Sequence, residues 1–309
     1  MRTLVIGESL IDIVQRSEGT AAEYVGGSPA NVAVGLARLG HDVTLATMIG
    51  QDERGARIAS LLEEEGVALT EGSIGVRPTS VATSTLDVTG AAAYRFDLTW
   101  ELNEGQPLEG MAHVHTGSIA ATLEPGASAV LAILQRARPG ATISYDPNAR
   151  PALMDDPHEV RAKIEQLVGL SDVVKASDED IAWLYDGAPL SDILRLWGLL
   201  GPTLIVVTRG AKGAVIGLST TGELTSVDAP VVEVVDSVGA GDSFMAGLMS
   251  GLLDAALLGG IEARERLRSA SMADVTPAVN RALASAAITV SRAGAQPPQR
   301  SELAITQGP

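Results

Sequence analysis

A run of small residues that ends in an acid, Gly239-Ala240-Gly241-Asp242, is the strongest chemical signal in this sequence. It follows a valine-rich segment at 231–235, which predicts a strand, and it opens a predicted helix. Backbone N–H groups converge at the start of a helix, and small residues let an anion approach them closely. These small residues therefore predict an anion hole.

Asp242 stands in the first turn of the predicted helix, where the helix dipole keeps a carboxylate ionised. A carboxylate at this point could accept a hydroxyl proton beside an arriving phosphoryl group, as a general base. The alternative is that Asp242 only caps the helix, which is the commoner role of an isolated aspartate at such a position. The flanking sequence favours the base.

The flanking segment 236–244 closely resembles the DTxGAGDxF signature of the ribokinase-like, or PfkB, sugar kinase family. Segment 146–151, Asp-Pro-Asn-Ala-Arg-Pro, is similar to the DPNxRP element of the fructokinase-like branch. The resemblance covers nearly the whole chain. Its other elements, in the family's order, are Gly7-Glu8 with Asp12, 26–33 with 36–40, 49–52 with Gly55, 207–213 and 292–295.

The resemblance implies transfer of a phosphoryl group from ATP to a sugar hydroxyl. Asp242 is then the catalytic base, and the amides of Gly239, Ala240 and Gly241 stabilise the transferring group. Arg150 is the implied cation for the ATP phosphates, because a guanidinium can bind phosphate through two hydrogen bonds. Taken without the family, Arg150 would be a surface charge.

The resemblance also implies a set of sugar-binding residues. A buried sugar hydroxyl needs a donor or an acceptor, and a carboxylate with an amide can serve two neighbouring hydroxyls. Arg95, in a predicted hairpin, either faces the sugar or is an ordinary hairpin side chain. The other implied sugar-binding residues are Asp12, Gly26, Gly27 and Asn31.

The implied nucleotide contacts are Asn148, Ser177, Asp180, Thr208, Gly210, Gly213, Gly239 and Gly241. Ser177 and Asp180 occupy the place of the family's NxxE element, where aspartate has a shorter reach than the usual glutamate. Phosphoryl transfer from ATP implies Mg²⁺. The family's stimulation by K⁺ would act through a loop that begins at Asp236.

The elements that position these residues alternate between β-branched runs and amphipathic segments, which indicates βαβ units. With the resemblance, this predicts a ribokinase-like three-layer α/β/α fold with a mostly parallel central sheet and a small β-lid. A helix should begin behind Ser28 as its N-cap, with others at 52–65, 241–258 and 274–291. Predicted strands of the sheet lie at 3–6, 43–48, 113–115, 142–145, 173–175, 204–207, 215–218 and 231–235.

Two alternating segments, 81–88 and 91–96, flank Thr89-Gly90 and predict a hairpin outside the main sheet. With part of the segment between Leu10 and Val25, this hairpin resembles the family's lid over the sugar. We therefore expect a single kinase domain over 1–309, with a lid from about 10–27 and 76–100. Because an uncovered sheet edge seeks a partner, we also expect a homodimer through the lid.

Composition and charge exclude several classes of binding partner and of structural site for this chain. The 309 residues include no cysteine, which excludes disulfides and thiolate zinc sites. A formal net charge of −16 opposes binding to nucleic acid or to anionic lipid, and no apolar stretch is long enough to span a bilayer. The N-terminal segment has the pattern of a first strand rather than of a leader, so we expect a cytoplasmic protein.

The exact acceptor is open at this stage. The DPNxRP-like element favours fructose or a related ketose or keto-sugar acid, while 2-keto-3-deoxygluconate, ribose and nucleosides remain alternatives. A catalytically silent sugar-binding protein on the same fold is a second class, which the intact Asp242 opposes. A nicotinamide-dependent oxidoreductase is a third class, but it would need a glycine fingerprint where Gly7-Glu8-Ser9 stands.

Overall fold

The computed structural model of the chain describes residues 1–15, 21–86, 92–154 and 156–306. Its strands are β1 (Arg2–Ile6), β2 (Leu10–Gln15), β3 (Ala21–Gly26), β4 (Asp42–Ala46), β5 (Ile49–Gly50), β6 (Val67–Leu69), β7 (Ile74–Gly75), β8 (Val81–Leu86), β9 (Ala92–Asp97), β10 (Met111–Gly117), β11 (Thr142–Asp146), β12 (Val173–Ser177), β13 (Leu204–Thr208), β14 (Ala214–Leu218) and β15 (Glu223–Val227).

The α-helices are α1 (Ser28–Arg38), α2 (Glu53–Glu64), α3 (Gly126–Ala137), α4 (Pro157–Leu170), α5 (Asp178–Leu184), α6 (Leu190–Leu200), α7 (Ala240–Asp254), α8 (Ile261–Arg268), α9 (Met272–Val290) and α10 (Arg300–Thr306). Short 3₁₀ turns lie at Ser118–Ala121 and Gly210–Lys212. Within the described parts of the chain, no helix is both long and apolar enough to cross a membrane.

The central sheet has the strand order β15-β14-β13-β12-β11-β10-β1-β4-β6. All pairs from β6 to β13 are parallel, and the last two, β13 with β14 and β14 with β15, are antiparallel. Helices cover both faces of its inner strands, which are therefore buried on both faces. Most of their side chains are apolar, but β10 and β11 also carry the hydrogen-bonded polar residues His113, His115, Thr142 and Ser144. In β1, Val5 belongs to the core that contains residues of α1, α7 and α9, while Leu4 and Ile6 belong to the core on the other face, which contains residues of α3 to α6. The predicted three-layer fold with a mostly parallel sheet is confirmed.

A second, smaller sheet has the order β3-β2-β8-β9. Its middle pair, β2 with β8, is parallel, and the two outer pairs are antiparallel. The predicted hairpin strands appear here as β8 and β9, while the predicted turn at Thr89-Gly90 lies outside the described residues. The role of this sheet as a lid stays a prediction.

The prediction of a strand at 231–235 is wrong. This segment is irregular, and the strand beside β14 is instead β15, which begins at Glu223 and lacks an apolar run. Because β14 is already paired with β13 on one edge and β15 on the other, the valine segment cannot pair with β14. The N–H groups of Val235 and Asp236 donate to the carbonyl of Val290, at 2.8 and 3.1 Å, and so tie the segment to the end of α9.

An ion network around buried Asp172 stabilises the amino ends of the central strands. The carboxylate accepts from Arg264 Nε at 2.7 Å, from Arg138 Nη1 at 3.0 Å and from the N–H of Ile143 at 2.8 Å. Arg264 is also buried, at 7 % exposure. Removal of the carboxylate would leave that guanidinium without its charged partner in a place where water does not reach it.

Asp172→Ala is therefore expected to lower the free energy of unfolding by about 3–5 kcal/mol. Asp42→Ala is the control, because its ion pair with Arg2 is 3.9 Å long and more than half exposed on both sides. It should cost about 1 kcal/mol or less. Urea unfolding at a constant m-value measures both variants. Equal losses would show that the Asp172 network contributes no more than a surface pair.

Candidate active site

The amino end of α7 has an open set of backbone donors. Gly239, the residue before the helix, has a φ of 75°, a region that glycine enters without strain. A Cβ on Gly239 would also lie only 2.5 Å from the Cβ of Ala295. No described side chain caps this end, so the amides at Gly241 and Asp242 can bind an anion with the favourable field of the helix.

Asp242 lies in the first turn of α7 and is only 8 % exposed. Its two carboxylate oxygens each accept a hydrogen bond from α1. Ser28 Oγ donates to Oδ1 at 2.6 Å, and Asn31 Nδ2 donates to Oδ2 at 2.8 Å. Ser28 and Asn31 stand one turn apart on the same face of α1. The carboxylate is therefore held in a fixed orientation at the opening of the anion hole.

The prediction that Ser28 is the N-cap of α1 is wrong. The helix begins at Ser28 itself, and Gly27 is the N-cap, with a φ of 107°. A side chain on Gly27 would strike the backbone of Glu8, so the chain can turn here only with glycine. The Ser28 hydroxyl is thereby free to reach Asp242, a role that the sequence did not reveal.

Asp12, on β2, extends this cluster into the small sheet. Its carboxylate lies against Gly26, where any Cβ would overlap it. Burial raises the pKa of Asp12 to about 6; the charge of Arg150 opposes this rise and that of Asp242 adds to it. Asp12, Arg150 and Asp242 thus share one electrostatic environment.

Arg95 does not join Asp12. Across the small sheet, Asp12 pairs with Ala82, and Ala82 pairs with Phe96. Paired residues point to the same face and successive residues alternate, so Phe96 shares the face of Asp12 and Arg95 points to the other. Of the two roles that the sequence left open for Arg95, this pairing favours an ordinary hairpin side chain over a contact with a sugar beside Asp12.

A cavity of about 690 Å³ opens beside the amino end of α7, at the carboxyl ends of β12 and β13. Crevices at the carboxyl ends of parallel strands are the usual ligand sites of open α/β sheets. Its far wall is apolar and comes from the 229–234 segment and from α9. The lining includes these residues predicted to bind nucleotide or its phosphates: Asn148, Arg150, Ser177, Asp180, Thr208, Gly210, Gly213, Ala240 and Gly241.

Asp180 lines this cavity but has both carboxylate oxygens occupied. Oδ2 accepts from the N–H of Ser177 and Oδ1 accepts from the N–H of Ala149, each at 2.8 Å. Ser177 in turn caps α5, accepting from the N–H of Asp180. Asp180 therefore holds the 148–150 loop against α5, with both carboxylate oxygens already accepting backbone hydrogen bonds.

Arg150 sits at the exposed rim on that loop. Its Nη1 donates to Asn148 Oδ1 at 2.7 Å and to the Asn148 carbonyl at 3.1 Å. Asn148 has a φ of 39°, an uncommon value for a residue other than glycine. The turn thus folds the guanidinium back towards its own loop, at the cavity and within electrostatic range of Asp12.

Asp236 joins two loops near the start of α7. Its Oδ1 accepts from the N–H of Val238 at 3.0 Å and its Oδ2 from the N–H of Gly294 at 2.8 Å. These backbone hydrogen bonds lower the pKa of Asp236. The carboxylate fixes the turn that leads into the anion hole.

Two buried charged residues here were assigned no role from the sequence. Glu8 accepts from the N–H of Ala120 at 3.2 Å, and burial raises its pKa to about 7. Lys175 forms a buried ion pair with Asp146, with 2.9 Å between Nζ and Oδ2. The available signal was a single charged residue, a lysine, inside the strand Val173–Ser177.

A buried, oriented acid beside an anion hole, next to a nucleotide-sized cavity, defines a phosphotransferase site. The family model for pfkB family carbohydrate kinases matches residues 2–302. This chain therefore belongs to the pfkB family and is a sugar phosphotransferase. A fructokinase from Klebsiella pneumoniae is 34 % identical over 257 residues, which cover 80 % of this chain and 83 % of that protein.

Solved structures agree with the ribokinase-like fold. A fructokinase from Xylella fastidiosa with bound ATP superposes with a TM-score of 0.85 at 26 % identity, over 98 % of this chain and 97 % of that one. A fructokinase double mutant from Vibrio cholerae, bound to fructose, ADP and a potassium ion, gives 0.80 at 26 % identity over the same shares. The oxidoreductase alternative is thereby excluded.

Proposed function

We propose that this chain transfers the γ-phosphoryl group of ATP to a hydroxyl of fructose, with Asp242 as the general base. The observation that carries the proposal is the Asp242 carboxylate itself. It is held by Ser28 and Asn31 at the opening of the α7 anion hole, in the same electrostatic environment as Asp12 and beside the cavity. The fructokinase relatives support fructose as the acceptor.

In this mechanism Asp242 accepts the proton of the attacking hydroxyl as its oxygen approaches the γ-phosphorus. The amides at Gly239, Gly241 and Asp242 stabilise the negative charge of the transferring group, while the Ala240 N–H, predicted to share this role, donates to the Ser237 carbonyl at 3.3 Å. Arg150 balances charge on the nucleotide phosphates. Because Ser28 and Asn31 fix the carboxylate before substrate binds, little reorganisation is needed at the moment of transfer.

The sugar lies between Asp12 and Asp242 in this proposal. Asp12 and Asn31 bond its hydroxyls, and Gly26 and Gly27 leave space that side chains would fill. The small sheet acts as a lid that excludes water from the phosphoryl group. 2-Keto-3-deoxygluconate, ribose and nucleosides are the alternative acceptors, and the intact Asp242 cluster opposes a silent binding protein.

Mg²⁺ is proposed to bind with the nucleotide. Among the described residues no group of three or more acidic or histidine side chains could hold a metal ion alone. This fits Mg²⁺, which commonly takes most of its ligands from phosphates and water. Asp178 and Glu179, exposed at the cavity, could hold its water ligands. When bound, the ion neutralises phosphate charge. K⁺ is proposed near Asp236, as an aid to the turn before α7.

The assembly is proposed to be a cytoplasmic homodimer formed through the lid. The outer strands β3 and β9 each have one edge without a partner strand within the described sheet. Tyr24, on β3, is 53 % exposed. Edges and aromatic side chains of this kind are commonly covered by a second subunit.

The apolar wall of the cavity predicts weak selection of the nucleotide base. Its side chains, from Val231, Val232, Val234, Ala286, Ala287 and Val290, carry no hydrogen-bonding groups. A wall without hydrogen-bonding side chains leaves none of them unpaired when the base is changed. We expect kcat/KM for GTP to be within about tenfold of that for ATP at saturating fructose. A preference for ATP above about a hundredfold would instead indicate backbone hydrogen bonds to the purine edge.

The acceptor is tested by kcat/KM for ADP formation with fructose, 2-keto-3-deoxygluconate, ribose and adenosine, each as the varied substrate. The proposal requires fructose to exceed the others by at least about tenfold, since its hydroxyls alone would satisfy the site. A higher value with another acceptor would keep the kinase and replace the substrate.

A further inference from the structure

Lys175 and Asp146 form a buried ion pair that the mechanism above does not use. Lys175 Nζ donates to Asp146 Oδ2 at 2.9 Å, and the side chains are 4 % and 2 % exposed. They come from the neighbouring parallel strands β12 and β11. A buried ion pair often contributes little net stability, because both charges must be removed from water. Its location at the site therefore suggests a functional reason for the lysine.

The ammonium of Lys175 faces the phosphoryl end of the cavity. Lys175 is among the lining residues, together with Ala240 and Gly241 of the anion hole. Its Nζ lies only 3.2 Å from the point where a Cβ on Gly241 would stand. Glycine at 241 thus leaves open the space between the ammonium and the start of α7. A phosphoryl oxygen bound by these amides would lie within reach of Nζ.

The charges around Lys175 keep it protonated. Burial alone would lower its pKa, but the carboxylates of Asp146, Asp180 and Asp242 outweigh burial and raise it. An ammonium has three N–H donors, and Asp146 Oδ2 takes one of them. Among the described residues that line the cavity, Lys175 and Arg150 carry the positive charge. Arg150 lies at the exposed rim, whereas Lys175 lies at the closed end beside α7.

We infer that Lys175 is a further catalytic residue, whose ammonium donates a hydrogen bond to an oxygen of the γ-phosphoryl group during transfer. Asp146 is its positioning residue. In this step the acceptor oxygen bonds to the γ-phosphorus, the bond from that phosphorus to the bridging oxygen breaks, and its electron pair leaves with ADP. The hydroxyl proton passes to Asp242, and Lys175 keeps its own protons. The inference rests on the proposed kinase function.

The test uses MgADP, aluminium fluoride and fructose, because the fluoride complex imitates the transferring phosphoryl group without turnover. Trp183 lines the cavity, so its fluorescence can follow binding. Lys175→Met should weaken the fluoride-dependent complex at least about a hundredfold and lower kcat by a similar factor. Its affinity for MgADP alone should change less than about threefold. Lys163→Met is the control, since that lysine is about half exposed on α4.

A double variant, Lys175→Met with Asp146→Asn, separates this role from a structural one. It removes both charges, so no unpaired charge remains buried. A purely structural pair would recover fluoride-complex affinity and kcat in the double variant, which would overturn the inference. Continued loss of both, with normal MgADP binding, supports it. If the wild-type protein forms neither the fluoride complex nor the product, the proposed function itself fails. If the wild type forms both and the Lys175 variants form them equally well, the inference about Lys175 fails and the proposed function stands.

Discussion

Asp242→Asn is expected to lower kcat for fructose phosphorylation about 10³-fold while the protein stays folded and binds nucleotide normally. The amide keeps the size of the carboxylate and can still accept from Ser28, but it does not take the hydroxyl proton. Loss of a positioned base commonly costs 10²- to 10⁴-fold. Initial rates of ADP release, with MgADP affinity measured in parallel, give both quantities.

Asp274→Asn is the matched control for this substitution. Asp274 also stands in the first turn of a helix, α9, but it is exposed and accepts from the backbone and hydroxyl of Ser271 as a helix cap. Its replacement should lower the melting temperature slightly and leave kcat unchanged. If Asp242→Asn behaved in the same way, Asp242 would be a cap and not the base.

Asp12→Asn is expected to lower kcat/KM for fructose by about 10²-fold or more. In the proposed complex Asp12 accepts hydrogen bonds from the sugar hydroxyls as a carboxylate, and burial raises its pKa to about 6. In the wild type, kcat/KM should therefore fall as the pH drops through about 6, because the protonated acid accepts fewer hydrogen bonds. The variant should lack this acidic limb.

Stability should respond in the opposite direction. The folded protein holds the Asp12 proton more tightly than the unfolded chain does. The contribution of Asp12 to the free energy of unfolding therefore falls as the pH rises from 3.8, the ordinary pKa of this carboxyl, to about 6, its pKa in the folded protein. At pH 8, Asp12→Asn should therefore unfold at a higher urea concentration than the wild type. Glu8→Gln is the control for the pH profile, since the pKa of Glu8 is also raised, to about 7. Loss of the limb near pH 6 in Glu8→Gln, with retention in Asp12→Asn, would reassign it to Glu8.

Local sequence predicted much of this site because its main parts are local. The glycine turn before α7 depends on neighbouring residues, and it fixes where the helix begins. Asp242 is therefore placed in the first turn of that helix. The alternation of strands and helices along the sequence likewise indicated the layered α/β architecture. The prediction of a strand at 231–235 was wrong because strand pairing is not local. The valines favour a strand, but whether an edge of β14 is free for them depends on β15.

The remaining features, which the sequence left open or did not reveal, depend on side-chain direction. The face on which Arg95 lies is set by pairing across three strands, which a single hairpin pattern does not specify. Ser28 has the composition of a cap, and only the packing of α1 beside α7 turns its hydroxyl to Asp242. Lys175 and Asp146 are distant in sequence and meet because their strands are parallel neighbours.

Single-turnover transfer from γ-labelled ATP to fructose tests the central proposal most directly. With enzyme in excess over MgATP, the wild type should place the label on fructose, and Asp242→Asn should bind the nucleotide yet transfer about 10³-fold more slowly. Equal rates in the two proteins would contradict the assignment of Asp242. Absence of labelled fructose from the wild type, with nucleotide bound, would contradict fructose as the substrate.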